Sequence, residues 1–520
     1  MNRRIWRFGD LVIAAAAIAA RLPFLLRGDR FFDADEAVEG LMARHLGDHS
    51  LFLWGQRYKG TPEVLLSGAV FRVAGSSVIA LKAVTLACFV VFLCLNVRLL
   101  ERVFSRRVAW IATALFIAGP PSLVLWTLSG SAEIVMTFLV GTIGLLAIER
   151  ARSAPNAPVA PAAPLKGALY TAALALGLGF WIQQYILYYV ASLAVAAFLV
   201  YRPTLAIRGT MSRVALAVMS AAVLLYVVLG LVAFFAGGLD VRVLGAHVTA
   251  THPQKMWWIA GAIAAAGVLA AVIAVFRQRL LGPAVAFLVG YSPAIIGRIG
   301  NRGLGAPINR LDVRGLLGAL PDINGVMLPV LLGFRDPTGA RTAFQPLVLV
   351  LLALALLSYW AVWKTSTSFR ARPLNLFFHL FPIVAVAMFL VSGSYIDAQS
   401  YRYLMPIYAA LPVIYAVGVD AVWRTARPAG VVLLLFMLGL FAAEQMAWYR
   451  RLAPDTRREQ TIACLERAGI TAARAPYWQS YPVTFLTSER IIVSPIDGID
   501  RYAPYSEATR NAPAVEQVCK

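Results

Sequence analysis

The sequence predicts an all-α polytopic membrane protein of about 13 transmembrane helices, followed by a small C-terminal α/β domain. Hydrophobic residues make up 60% of the 520 residues, charged residues only 14%, and the mean hydropathy is +0.72. A soluble chain of this length would carry far more charge. Long apolar runs recur along the chain, and short basic loops alternate with longer or acidic ones. These observations together indicate a bundle of membrane-spanning helices.

Apolar runs of about 17–25 residues predict the spans, because a helix of that length crosses the hydrocarbon core of a bilayer. The first run follows Met1-Asn2-Arg3-Arg4 and looks like a signal peptide. No convincing cleavage site precedes the next loop, so we expect an uncleaved span. The predicted spans lie near residues 9–27, 78–100, 108–128, 132–148, 167–182, 184–201, 214–236, 256–276, 280–297, 344–363, 374–391, 404–423 and 429–447.

Positively charged residues indicate which side of the membrane each loop faces. Arg3, Arg4 and Arg7 precede the first span, and every second loop after it is short and basic. Such loops face the cytoplasm, so we expect a multi-pass protein of the bacterial inner (plasma) membrane. Its N-terminus would be cytoplasmic and its C-terminus periplasmic or extracellular. The basic loops also explain the formal charge of +21, so we do not expect nucleic-acid binding.

The chain is predicted to divide into a transmembrane catalytic domain, residues 1–447, and an extracytoplasmic domain, residues 448–520. Within the first domain, the main outer loops are residues 28–62 and 298–343. We see no internal repeat, so an inverted-repeat transporter has no support in the sequence.

The polar tail has the pattern of a small α/β fold. A helix is predicted near 456–468, followed by alternating segments at 483–487 and 491–493 that predict strands. Cys464 and Cys519 both lie in this tail, and they would form a disulfide if the tail is in an oxidising compartment.

The densest acidic run of the chain lies in the first outer loop, at Phe31-Phe32-Asp33-Ala34-Asp35-Glu36-Ala37-Val38-Glu39. On a helix Asp35 and Glu39 are i,i+4 and Asp33 and Glu36 are i,i+3, so these acids cover two neighbouring stripes. Acids at such a place bind a cation, take a proton or pair with a base. The structural alternative is that Asp33 and Asp35 cap the following helix.

Further acids occur at the same membrane level. Glu63 opens an apolar stretch and Glu133 begins the fourth span. With Glu36, they would offer oxygen ligands from three segments to a divalent metal, Mg, Mn or Zn. A simple ion pair or a frayed helix end is the alternative for Glu133, because an acid at the apolar boundary is costly unless it is paired. The bases of the first outer loop, Arg44, Arg57 and Lys59, would neutralise some of the acids at 33–39.

Basic residues on the same side would bind an anion. Arg402 follows Tyr401 at the outer end of the twelfth span, and this pair of side chains suits a phosphate group. Asp397 is near enough in sequence to orient Arg402. Arg21, near the outer end of the first span, is another cation that would meet an anionic headgroup. Interfacial anchoring and snorkelling explain these residues equally well.

Four short motifs, in this order, resemble the first half of the GT-C glycosyltransferases: Arg21-Leu22-Pro23, Asp35-Glu36-Ala37, Met42-Ala43-Arg44-His45-Leu46 and Gly60-Thr61-Pro62-Glu63. A late motif, Tyr401-Arg402-Tyr403-Leu404-Met405-Pro406, is similar to the Arg-Tyr-Leu-x-Pro element of one branch. That branch contains the protein O-mannosyltransferases and the aminoarabinose transferases. The chain departs from it at Gly60-Thr61-Pro62, where the aminoarabinose transferases often have Lys-Pro-Pro.

The resemblance implies a GT-C fold with an extracytoplasmic active site. It also implies a polyprenyl-phosphate sugar as donor and, as in some members, assistance by a metal. By the same resemblance Asp35 takes the place of the general base that deprotonates an acceptor hydroxyl. Asp33 is the alternative base if the register shifts.

The remaining site residues are implied in the same way. Glu63 and Glu133 match acids that bind metal or position the substrate, and Glu36 supports them. Arg402, together with Tyr401, would hold the lipid phosphate as it leaves.

The predicted function is therefore that of a membrane glycosyltransferase. It would move a sugar from a polyprenyl-phosphate-linked donor in the membrane to an extracytoplasmic acceptor, which is a protein, a lipid or a polysaccharide. One alternative is a transporter or flippase of lipid-linked sugars, which would need charges along a path through the bilayer midplane. Another is an O-antigen polymerase or ligase, which we would expect to depend on Arg and His in its outer loops.

Overall fold

The computed structural model describes residues 8–48, 51–152, 163–201, 281–299, 320–340, 347–364, 373–392 and 395–519, and short stretches between 218 and 263. The described chain is mainly helical. Its α-helices are α1 (Phe8–Leu25), α2 (Ala34–Arg44), α3 (Pro62–Ala74), α4 (Val78–Val103), α5 (Arg106–Ala118), α6 (Pro121–Trp126), α7 (Glu133–Arg152), α8 (Ala163–Ile182), α9 (Ile186–Tyr201), α10 (Leu281–Ile299), α11 (Leu328–Leu332), α12 (Leu347–Lys364), α13 (Pro373–Ser392), α14 (Leu411–Thr425), α15 (Arg427–Arg451), α16 (Thr456–Arg467), α17 (Tyr477–Leu486), α18 (Ala503–Ala508) and α19 (Val515–Val518).

The described strands form pairs rather than extended sheets. Strand β1 (Phe52–Leu53) pairs antiparallel with β2 (Gln56–Gly60), and β3 (Leu239–Val243) pairs antiparallel with β4 (Ala246–Ala250). Strand β5 (Ala472–Ala475) pairs in parallel with β6 (Ile492–Pro495).

Several described helices are long and apolar enough to cross a membrane. Among the described residues four stretches meet this condition, and a fifth is a bent pair, Ala398–Ala409 with Leu411–Thr425, that turns by 50°. The four are Phe8–Leu25, Val78–Val103, Pro373–Leu390 and Arg427–Arg467. Of the five shorter apolar helices found among the described residues, four coincide with other predicted spans, and the fifth, Leu320–Leu332, lies in the predicted outer loop 298–343. The predicted spans near 214–236 and 256–276 lie largely outside the described residues. The protein is a multi-pass membrane protein, and the count of 13 remains a prediction.

The predicted span at 108–128 is broken into two helices. Helix α5 ends at Ala118 and α6 begins at Pro121, with Gly119 and Pro120 between them. Proline lacks the backbone N–H that a continuing helix needs, and its ring clashes with the preceding turn. The Nε2 atom of Gln445 donates to the carbonyl oxygens of Ala118 (2.9 Å) and Gly119 (2.6 Å), so these groups are satisfied at the break.

Aromatic side chains fill the centre of the largest apolar core. The Phe92 ring lies 5.2 Å from the Phe116 ring and 5.3 Å from the Phe138 ring, which brings α4, α5 and α7 together. All three rings are fully buried. This bundle supports the first outer loop, because α4 and α7 begin beside it.

Helix α2 carries the acidic run and is buried against the C-terminal segment. The Asp33 side chain caps it by accepting from the Glu36 backbone N–H at 2.9 Å, which confirms the capping role predicted for this residue. Gly40 lies against Phe485 of α17, so closely that a Cβ atom would stand 2.5 Å from the ring. A glycine is therefore needed where α2 meets α17.

The C-terminal segment is α/β in character, with one element different from the prediction. Residues 483–487 were expected to form a strand, but they belong to helix α17. The buried positions Tyr477, Ser480, Tyr481 and Thr484 have helical spacing, which a five-residue alternation cannot reveal. The predicted helix near 456–468 is observed as α16, and a disulfide joins Cys464 to Cys519.

Replacing Gly40 by valine should destabilise the protein by about 1–3 kcal/mol, because the added side chain must displace the Phe485 ring. Gly439→Val is the matched control, since Gly439 is a helical glycine with open space around it. Unfolding of the detergent-solubilised variants would measure the difference. Equal stability of the two variants would contradict the close packing of α2 on α17.

Candidate active site

A cavity of about 540 Å³ opens beside the start of α2. Its polar lining includes Asp33, Glu36 and Arg402, and the C-terminal segment contributes Trp478, whose side chain is 54% exposed. Much of the remaining wall is apolar and aromatic, with Phe31, Leu125, Trp126, Ile396, Trp448 and Leu452. A wider depression of about 640 Å³ on the C-terminal segment is lined by none of the predicted site residues.

Asp33 and Asp35 occupy different positions. Asp33 faces the cavity while one of its oxygens caps α2. Asp35 is held by the C-terminal segment: the Tyr477 hydroxyl donates to its Oδ1, and the Arg501 guanidinium lies 3.8 Å from the same oxygen. Burial and the adjacent Asp35 charge raise the pKa of Tyr477, so its hydroxyl stays protonated as a donor.

Glu36 lines the cavity but is paired with a lysine. The Lys82 ammonium from α4 donates to its Oε2, and Lys82 itself is fully buried with its ammonium 4.3 Å from the centre of the Phe31 ring. Burial raises the pKa of Glu36 to about 7, and the Lys82 charge opposes this increase. The sequence analysis missed Lys82, although a charged residue inside an apolar span is a signal for such a partner.

A second lysine binds the other acids. The Lys59 ammonium lies 2.6 Å from Glu39 Oε1, 2.9 Å from Glu133 Oε2 and 3.1 Å from the Ser131 hydroxyl. Glu63 is also buried nearby, and neither of its carboxyl oxygens has a hydrogen-bond partner among the described residues. Burial and the Glu39 charge raise the pKa of Glu63 well above its ordinary value.

Two arginines line the cavity: Arg30, which donates to the carbonyl oxygen of Leu452 at 2.6 Å, and Arg402. The Arg402 guanidinium donates to the Tyr403 hydroxyl at 3.2 Å and lies 5.1 Å from the centre of that ring. Tyr401 also lines the cavity, although its side chain is largely buried. Asp397 does not orient Arg402 as expected, because its carboxylate instead caps the 3-10 segment by accepting from the Gln399 backbone N–H.

Arg21 does not reach the cavity, contrary to the suggestion that it binds the donor phosphate. It is fully buried and lies 4.7 Å from the centre of the Phe89 ring. Its guanidinium donates to the carbonyl oxygens of Phe116 and Ile117 and to the Thr127 hydroxyl. These carbonyls belong to the last turn of α5, where a helix leaves its acceptors unpaired. Arg21 therefore stabilises the break after α5.

Two of the three predicted metal ligands are paired with lysines in this arrangement. Glu36 faces Lys82, and Glu133 faces Lys59. Within the described part of the chain, no group of three His, Cys, Asp or Glu side chains is placed to hold a metal ion. His45 contacts Glu489 at 2.7 Å, and His49 lies outside the described residues.

Comparison with known proteins identifies the fold. No protein-family model and no curated protein matches the chain. The structure is similar to the aminoarabinose transferase ArnT from Cupriavidus metallidurans bound to undecaprenyl phosphate. The TM-score is 0.55 and the identity 12%, over 98% of this chain and 90% of that one. The apo state of ArnT gives a TM-score of 0.53 at 13% identity, over 98% and 89% of the two chains.

A second similar structure is the oligosaccharyltransferase from Archaeoglobus fulgidus in complex with Zn and sulfate. The TM-score is 0.50 and the identity 14%, over 94% of this chain but only 62% of that one. Both neighbours are GT-C glycosyltransferases. At these identities the similarity shows the fold, and the predicted resemblance to the GT-C fold is confirmed.

Replacing Lys82 by methionine should lower the free energy of unfolding by about 3–5 kcal/mol, because Glu36 would remain buried without a counter-charge. Adding Glu36→Gln to this variant should recover most of the loss. Unfolding of both variants in detergent would measure the coupling between the two side chains. If Glu36→Gln instead lowered the stability of the Lys82→Met variant further, the result would contradict the ion pair between Glu36 and Lys82.

Proposed function

We propose that this protein is a membrane glycosyltransferase that moves a sugar from a polyprenyl-phosphate donor to an acceptor on the extracytoplasmic side. The observation that carries the proposal is a cavity in a GT-C fold that is lined by the carboxylates of Asp33 and Glu36 and by Arg402, an arginine with no carboxylate partner among the described residues. Such a transfer needs two groups: a base that takes the proton of the acceptor hydroxyl, and a cation that stabilises the negative charge of the leaving phosphate.

The cation side would bind the donor phosphate. Arg402 lies in the cavity wall, and no carboxylate pairs with it among the described residues. Its planar guanidinium can donate two parallel hydrogen bonds to phosphate oxygens. The apolar wall formed by Trp126, Trp448 and Leu452 suits the first isoprene units of a lipid. The similar ArnT structure was solved with undecaprenyl phosphate bound.

The carboxylate side would activate the acceptor. We assign the base to Asp35, because Tyr477 and Arg501 hold its carboxylate in one orientation and its charge acts on Arg402. Asp33 is the second candidate because it faces the cavity directly. General-base catalysis of this kind contributes about 10²–10⁴-fold to the rate.

The reaction breaks one bond and forms another. The acceptor hydroxyl gives its proton to the carboxylate, and its oxygen attacks the anomeric carbon of the donor sugar. The bond from that carbon to the phosphate oxygen breaks, and polyprenyl phosphate leaves with the electron pair. Arg402 stabilises the charge that develops on the departing phosphate, so the residues of this chain supply both required groups.

Asp35→Asn should reduce sugar transfer at least about 100-fold while sparing donor binding. Asp33→Asn should change transfer less than about tenfold, because asparagine is an equally good helix cap and the fold is retained. The assay incubates the purified protein with labelled undecaprenyl-phosphate sugars and follows transfer and hydrolysis. The reverse order of effects would assign the base to Asp33, and two unaffected variants would remove the base from this loop.

Arg402→Gln should weaken binding of undecaprenyl phosphate by about 10- to 100-fold, because a charge-assisted hydrogen bond contributes about 1.5–3 kcal/mol. Arg490→Gln is the matched control, since Arg490 is an exposed residue of the C-terminal segment paired with Glu466. Titration of the lipid into each variant in detergent would measure the dissociation constants. Unchanged affinity of Arg402→Gln would place the phosphate elsewhere.

A further inference from the structure

We propose that the Lys59 ammonium, which lies between Glu39 and Glu133, provides the positive charge that a divalent cation would otherwise provide. These two acids and the buried Glu63 are called the acid cluster. The protein would then hold no metal at this cluster and would act without one. The inference rests on the proposed function, because it concerns the cofactor of the same site.

Three oxygen atoms surround the Lys59 ammonium, which donates hydrogen bonds to those of Glu39 and Ser131 and forms an ion pair with Glu133. An ammonium group has three N–H bonds, and three oxygen atoms lie within 3.1 Å of Nζ: those of Glu39, Glu133 and Ser131. Lys59 is only 4% exposed. These three oxygens therefore already face a cation of the chain itself.

The backbone holds Lys59 at this place. It belongs to β2, and the next residue, Gly60, pairs with Phe52 of β1. Gly60 packs so closely on the end of α8 that an added Cβ atom would lie 2.5 Å from the carbonyl oxygen of Trp181. The hairpin therefore packs directly on α8 at a position that leaves no room for a side chain, and Lys59 is the residue before this contact.

The charges of the cluster also disfavour a second cation. Glu39 and Glu133 carry the two negative charges that face Lys59 directly. Glu63, the third acid, is buried, neither of its carboxyl oxygens has a hydrogen-bond partner in the described part of the chain, and burial favours its neutral form. A divalent ion placed beside the ammonium would meet strong repulsion in this dry environment.

The neighbouring acid is neutralised in the same way. Glu36 lies one turn before Glu39 on α2 and pairs with Lys82 from α4. The two buried carboxylates of α2 therefore have one lysine each, and these lysines come from different segments of the chain.

Removing the ammonium should create a metal site. In Lys59→Ala the oxygens of Glu39, Glu133 and Ser131 would surround the vacated volume. One or two carboxylates with additional water suffice for Mg²⁺ or Mn²⁺. Lys59→Ala should thus bind Mn²⁺, which the unchanged protein does not bind at this cluster.

The test uses the full-length protein in detergent and needs no substrate. Elemental analysis after purification should find less than about 0.1 equivalent of Zn, Mn or Mg, and neither EDTA nor MnCl₂ should shift the melting temperature. For Lys59→Ala, MnCl₂ should raise the melting temperature by about 3 °C or more, and EDTA should reverse the shift. Lys364→Ala, which removes an exposed lysine on α12, should not respond.

One equivalent of tightly held metal in the unchanged protein, or its destabilisation by EDTA, would overturn the proposal even if Lys59→Ala fails to fold. A folded Lys59→Ala that ignores Mn²⁺ would overturn it as well. Sugar transfer is measured separately with and without EDTA. A metal-free protein that transfers no sugar would contradict the proposed function only, so the two failures are distinguishable.

Discussion

The buried carboxylates of α2 and the lysines that neutralise them are the constraint on which the candidate site depends. Glu36 and Glu39 are almost completely buried, and each accepts from a lysine of another segment, Lys82 of α4 or Lys59 of β2. Breaking such a buried pair by removing one partner costs about 3–5 kcal/mol. The pairs therefore hold the first outer loop in one position on the helical bundle, and with it the acids that face the cavity.

The site is shared between the helical bundle and the C-terminal segment. Tyr477 and Arg501 contact Asp35, and Trp478 lines the same cavity as Asp33 and Arg402. Helix α17 is pressed on α2 through the Gly40–Phe485 contact. The C-terminal segment thus acts as a structural part of the site, because without it Asp35 would lose both groups that orient it.

Much of this could be predicted from the sequence, since it depends on local chemistry. The acidic run gave the capping role of Asp33, and composition gave the membrane class. Motif order gave the GT-C fold. Predictions failed where a residue's partner lies far along the chain. Arg21 was expected at the donor phosphate, but it binds the carbonyl oxygens of Phe116 and Ile117, whose helix breaks at Pro120. Local pattern contains no information on such distant contacts.

The sequence by itself determined the apolar spans, the acidic run at the start of α2, and the presence of an arginine suited to phosphate, because hydropathy and residue type are local properties. Only the tertiary structure decided which cation meets which acid. A carboxylate in a predicted outer loop can bind metal, take a proton or pair with a lysine, and the choice follows from the distance to its neighbours. Lys59, Glu39 and Glu133 lie in three separate segments, so their meeting is a property of the packed chain.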